Sequence, residues 1–97
     1  MWREVLGRRL RALRLDQRET LSQTAGRAGI SPQYLSEIER GRKEPSSEMI
    51  AALAGALGTT LTVLTGQVAD DLRRQQAIAA PSARFRAAGP VMLSLAA

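Results

Sequence analysis

The 97-residue chain contains no cysteine and no histidine. Their absence excludes disulfides, thiolate and imidazole metal ligands, the cysteine nucleophile and the commonest general base. The carboxylates and serines that remain show no paired arrangement, so neither an enzyme nor a bound metal or other cofactor is expected. A long apolar run is missing as well, including the hydrophobic stretch of a signal peptide or membrane helix at the N-terminus. The chain is therefore expected in the cytoplasm, associated with the nucleoid, with no membrane partner. No stretch carries a persuasive strand signal, and no internal repeat is visible. At this length only about two thirds of the unfolded surface can be buried, which limits the chain to one small helical core.

Positive charge is in surplus. Fourteen Lys and Arg stand against nine Asp and Glu, for a net charge of +5, and every cation except Lys43 is arginine. The guanidinium fork suits phosphate, so a polyanionic partner is indicated. Surplus surface arginine alone decides little, because a net charge informs on association and not on fold; position has to decide.

Local signals divide the chain into helices. In "REVLGRRLRALRLDQ" (3–17) Leu6, Leu10 and Leu13 recur at helical spacing with Val5 beside them, while Arg8, Arg9 and Arg11 point elsewhere. Thr20 and Gln23 form a capping box for a second helix from about Leu21 to Ala28, stopped by Gly29. Ser31 caps a third helix, Pro32 occupies its first turn, and Gly41 ends it. A fourth starts at the Pro-Ser step before Glu48, carries Met49, Ile50, Leu53 and Leu57 inward, and ends at Gly58. "TLTVLTG" (60–66) predicts a short helical turn at most, with Thr60 as cap and Leu61 and Leu64 inward, so the compact domain is expected to close near Gly66. Residues 67–80 favour one further helix with a thin stripe of Val68, Leu72, Ile78 and Ala79, ended by Pro81. The remaining "PSARFRAAGPVMLSLAA" (81–97) lacks any lasting period and reads as a flexible tail. The division is thus an all-α unit at 1–66 and a C-terminal helix and tail at 67–97.

The third helix is unusually polar for its length. At about 100° per residue, Leu35 and Ile38 set the inward direction, and Gln33, Ser36, Glu37 and Arg40 fall opposite. Pro32 and Glu39 flank one edge and Tyr34 the other. Ala25, Gly29, Ile30, Leu35 and Ile38 stand at the spacing that two helices need to cross steeply over a short turn, with Ala25 small at the approach and Gly29 tolerant of positive φ. A polar outer face on the second helix of such a pair is the form of a recognition helix, whose side chains donate to and accept from base edges in the DNA major groove.

With these residues in place, the segment from 4 to 66 resembles a Cro/repressor-type helix-turn-helix domain of the xenobiotic response element family. The likeness runs through "AGRAGISPQYLSEIERGRKEPSSEMIAALAGALGTTL" (25–61) almost without gaps. More narrowly, "REVLGRRLRALR" and "YLSEIERGRKEPSSE" are similar to the actinobacterial regulators of Clp protease genes. The resemblance implies a five-helix, lambda-repressor-like domain that binds double-stranded DNA as a homodimer on a palindromic operator. One such module buries only about 600–1,000 Å² on DNA, too little for tight specificity alone.

The resemblance assigns roles by position. Gln33 is expected to contact a base, with Ser31, Pro32, Ser36 and Glu37 shaping which bases are accepted; glutamine suits adenine, and glutamate accepts from cytosine. Arg40, Arg42 and Lys43 are expected on phosphates, and Tyr34 through its hydroxyl. Leu21 departs from the family, which commonly has a glutamine there to hold the DNA backbone, so Thr20, Ser22 or the helix-start N–H groups are expected to serve instead. The resemblance also sets Arg14 against Glu39 as a structural ion pair. The alternative reading is a protein-interaction module, antitoxin-like or anti-repressor, using the same helices.

Beyond Gly66, Val68, Leu72 and Ile78, together with the fourth or fifth helix, are expected to form the dimer surface, being apolar and lying past a completed core; the alternative is a helix folded back on its own domain. The ending Ala96-Ala97 is similar to the tails by which Clp-type unfoldases select substrates, which implies a degradation signal and a Clp-type protease as a further partner; the alternative is that these residues pack on the domain or cover the dimer seam.

Overall fold

A computed structural model describes residues 1–79, which form five helices and, among those residues, no strand. They are α1 (Trp2–Asp16), α2 (Leu21–Ala28), α3 (Pro32–Glu39), α4 (Ser47–Ala56) and α5 (Leu61–Ala79). The all-α fold is the one predicted from the sequence.

Each short helix begins where a side chain can satisfy its free N–H groups. At α2 the capping box is complete: the Gln23 N–H donates to Thr20 Oγ1 at 3.1 Å and the Thr20 N–H to Gln23 Oε1 at 2.9 Å. Ser31 Oγ accepts from the Tyr34 N–H at 3.0 Å, and Ser46 Oγ from the Met49 N–H at 3.2 Å. The ends of α2 and α3 need a left-handed residue, which Gly29 (φ 77°) and Gly41 (φ 76°) supply without a Cβ penalty.

The inward residues of all five helices meet in one core. Leu6 and Leu10 of α1, Leu35 and Ile38 of α3, Leu53 of α4, and Leu64 and Val68 of α5 are fully enclosed, with Ala25 at the α2–α3 crossing. Each large side chain in this set gains about 1.5–3 kcal/mol from leaving water. Helices α1 and α3 approach closely because Gly7 faces the end of α3: a Cβ there would lie 2.4 Å from the Ile38 carbonyl oxygen and 2.6 Å from that of Glu39.

The fifth helix corrects the expected boundary at Gly66. Helix α5 is a single 19-residue element running through Gly66 without a break, so the expected short turn and separate C-terminal helix are one. A glycine inside a helix costs about 1 kcal/mol relative to alanine. Burial of Val68 and packing of Leu72 against the core outweigh that cost. The core closes at Val68 and beyond, not at Gly66. No single helix among the described residues is long and apolar enough to cross a membrane.

Candidate nucleic-acid interface

Helices α2 and α3 cross over the turn at Gly29-Ile30, where the Ile30 N–H donates to the Ala25 carbonyl at 3.0 Å. The crossing fixes which side of α3 faces out. Pro32, Gln33 and Arg40 are exposed, and Ser36 and Glu37 are half-buried beside them. Ser31 is exposed, its hydroxyl engaged in the cap. Arg42 and Lys43, in the loop after α3, are exposed, and neither they nor Arg40 form an ion pair among the described residues. Tyr34 is half-buried and packs on the core. At the start of α2, Thr20 and Ser22 are exposed, the Thr20 hydroxyl being held in the capping box, while Leu21 packs against the core.

The opposite side of α3 is held by a buried polar network. Arg14 Nε donates to Glu39 Oε2 at 2.8 Å and Arg14 Nη2 to Glu39 Oε1 at 2.9 Å, a bidentate pair with both residues 8% exposed. These two hydrogen bonds, accepted by the Glu39 carboxylate, hold the Arg14 guanidinium above its ordinary pKa. A third bond, from Arg14 Nη1 to the Glu19 carbonyl at 2.8 Å, ties the start of α2 to the same group. Buried charges persist only when paired and hydrogen-bonded, and this one uses its donors on three acceptors. Alongside, Thr24 is fully enclosed and its hydroxyl donates to Glu19 Oε1 at 2.7 Å; Arg27 also pairs with Glu19. Arg27 first and Thr24 second hold the Glu19 carboxyl below its ordinary pKa.

Helix α1 is fixed on its other flank to α5. Arg9 Nε and Nη2 donate to the two carboxylate oxygens of Asp71 at 2.9 and 2.7 Å, and Arg74 pairs with the same carboxylate. The Arg9 guanidinium holds the Asp71 carboxyl below its ordinary pKa. Gln17 Nε2 donates to the Leu57 carbonyl at 2.6 Å, which satisfies the end of α4.

Sequence reasoning missed Gly7, Thr24 and the Arg9–Asp71 pair. The only signal for Gly7 was a residue without a side chain three positions before Leu10 on the apolar face of α1. The Arg9–Asp71 pair spans 62 residues and left no local trace.

Of the three residues expected to form a dimer surface, Val68 is corrected. It is fully enclosed in the core of its own domain and has no area to offer a second copy. Leu72 is half-buried against the core, and Ile78 is 75% exposed. Ala96 and Ala97, the expected degradation signal, lie outside the described residues.

Comparison with known proteins agrees with this geometry, since residues 5–67 match the helix-turn-helix domain family. The chain belongs to the helix-turn-helix family. Over 87 residues it is 44% identical to the transcriptional regulator ClgR of Mycobacterium tuberculosis, covering 90% of this chain and 78% of that protein. The crystal structure of the clp gene regulator ClgR from Corynebacterium glutamicum is similar at a TM-score of 0.78 and 38% identity, over 93% of this chain and 96% of that one. The restriction-modification controller protein C.AhdI from Aeromonas hydrophila is similar at a TM-score of 0.62 and 31% identity, over 64% of this chain and 94% of its own. This helix-turn-helix protein is a DNA-binding transcription regulator and not an enzyme.

Proposed function

We propose that the chain is a sequence-specific regulator that binds a palindromic operator in double-stranded DNA as a homodimer, acts in the cytoplasm on the nucleoid, and controls Clp protease genes. The observation that carries the reading is the division of α3. Its inner face is anchored by Leu35, Ile38 and Glu39, while on its outer face Gln33 is exposed with no side-chain hydrogen bond, and Arg40, with Arg42 and Lys43 just beyond, is exposed with no ion-pair partner among the described residues. Gln33 reads a base edge, with Ser31, Pro32, Ser36 and Glu37 setting the surroundings of that contact. Arg40, Arg42, Lys43, the Tyr34 hydroxyl and the α2 start at Thr20 and Ser22 hold the phosphates that fix the register. Leu72, half-buried, and Ile78, exposed, supply apolar surface on α5 for the two-fold partner. Control of Clp genes is supported by the similarity to the two ClgR proteins, of which the Corynebacterium one is named a clp gene regulator.

Selection of bound sequences from a pool of random duplexes tests the reading as a whole. The expected result is a palindrome with half-sites one helical turn apart, bound by a dimer in sedimentation. Enrichment of no sequence above the starting pool would contradict the specific part of the proposal, and a monomer on a single half-site would contradict the dimeric part.

A further inference from the structure

A cleft of roughly 390 Å³ opens between α1, the start of α2 and the end of α3. It is lined by Arg8, Arg11, Arg14, Leu21, Ser36, Glu39 and Arg40. Four arginines against one glutamate leave its lining at +3. That one carboxylate does not relieve the others, because both oxygens of Glu39 are already taken by Arg14. Arg11 and Arg40 form no side-chain hydrogen bond or ion pair among the described residues, and Arg8 has only one nitrogen engaged, on Gln75 Oε1 at 2.8 Å. Like charges gathered around a concave surface repel one another and raise the local concentration of anions. The cleft also borders the recognition face, since Ser36 and Arg40 lie on the outer side of α3 and line the cleft at the same time.

We propose that this cleft seats one phosphodiester of the DNA backbone and that Arg11 of α1, with Arg8 at the rim, is a phosphate-binding residue in addition to those of α3 and its loop. The inference rests on the DNA-binding reading above. The planar guanidinium forks of Arg11 and Arg40 supply paired donors to phosphate oxygens, and the Ser36 hydroxyl adds one more. The Arg14–Glu39 pair at the wall of the cleft is electrically closed, so it supports the site without competing for the anion. Leu21 leaves that wall apolar where the helix begins, and the arginines of α1 supply the anchor that a polar side chain there would otherwise give.

The test measures the full-length chain on the selected operator and on a random duplex across a range of salt. For Arg11→Ala, the slope of log affinity against log salt should fall by about one, with equal loss on both duplexes and an unchanged melting temperature. Arg11→Lys, which keeps the charge, should retain the wild-type slope. Arg73→Ala removes an exposed arginine that pairs with Asp70 on α5 and should leave the slope unchanged. A wild-type slope in Arg11→Ala, or an equal fall in Arg73→Ala, would overturn the cleft as a site while leaving DNA binding intact. A wild-type chain that binds neither duplex would overturn the DNA reading and the cleft together.

Discussion

The two faces of α3 put polar side chains to opposite ends. On the inner side, Glu39 is buried and receives two hydrogen bonds from Arg14, so its charge is spent within the protein. On the outer side, Gln33 and Arg40 are exposed and uncommitted. The flanks of α1 repeat the contrast: Arg9 is locked onto Asp71, whereas Arg11, two residues on, has no partner among the described residues. A polar group enclosed by the fold has to be satisfied by the fold, at a cost of several kcal/mol if it is not. A polar group left free at the surface remains available to a partner. Substitutions on the two sides should accordingly separate into losses of stability and losses of binding.

The largest effect is expected on the inner side. Glu39→Ala leaves the Arg14 guanidinium buried without its carboxylate and should lower unfolding stability by about 3–5 kcal/mol in a denaturant titration. A change within error would mean that the pair is dispensable and that the inner side is no different from the outer. Gly7→Ala should come next. The added methyl would collide with the carbonyl oxygens of Ile38 and Glu39, backbone atoms that move only if α1 and α3 separate. A loss of about 1–3 kcal/mol is expected, although alanine is the better helix former. A gain would show that the two helices are not in the close contact described.

The pairing of α1 with α5 is partly exposed and should matter less. Because Arg9 lowers the folded-state pKa of Asp71, the contribution of that pair is fully present above the unfolded carboxylate value of about 3.9 and is lost as pH falls through the lower folded value. Asp71→Asn should cost about 1 kcal/mol at neutral pH and reduce the loss of stability below about pH 4. Equal acid sensitivity in the two proteins would place that sensitivity elsewhere. The smallest effect is a gain: a Cβ at Gly66 meets nothing within 4 Å, so Gly66→Ala should stabilise by about 0.5–1 kcal/mol if α5 is one continuous helix. A loss in melting temperature would favour a break there.

These positions also mark how far the sequence could be read. Thr20, Gln23, Ser31, Gly29 and Gly41 act on backbone groups within a few residues, and the starts and stops of α2 and α3 were legible from them. Periodicity likewise placed Leu35 and Ile38 inward and thereby the outer face of α3. The continuity of α5 through Gly66 was not legible because it depends on the burial of Val68 and on the Arg9–Asp71 pair, which only the folded chain brings together. The same limit hid Gly7, whose role depends on where the end of α3 comes to rest, and the arginine cleft, which needs α1, α2 and α3 side by side.

The central claim is that the outer face of α3 reads base sequence while its inner face only holds the fold. The most direct measurement compares wild type and Gln33→Ala on the selected duplex and on a random duplex at the same salt, with melting temperatures taken in parallel. The account predicts a loss of about 1–3 kcal/mol on the selected duplex, little change on the random one and no change in melting temperature. An equal loss on both duplexes, or none on either, would contradict it.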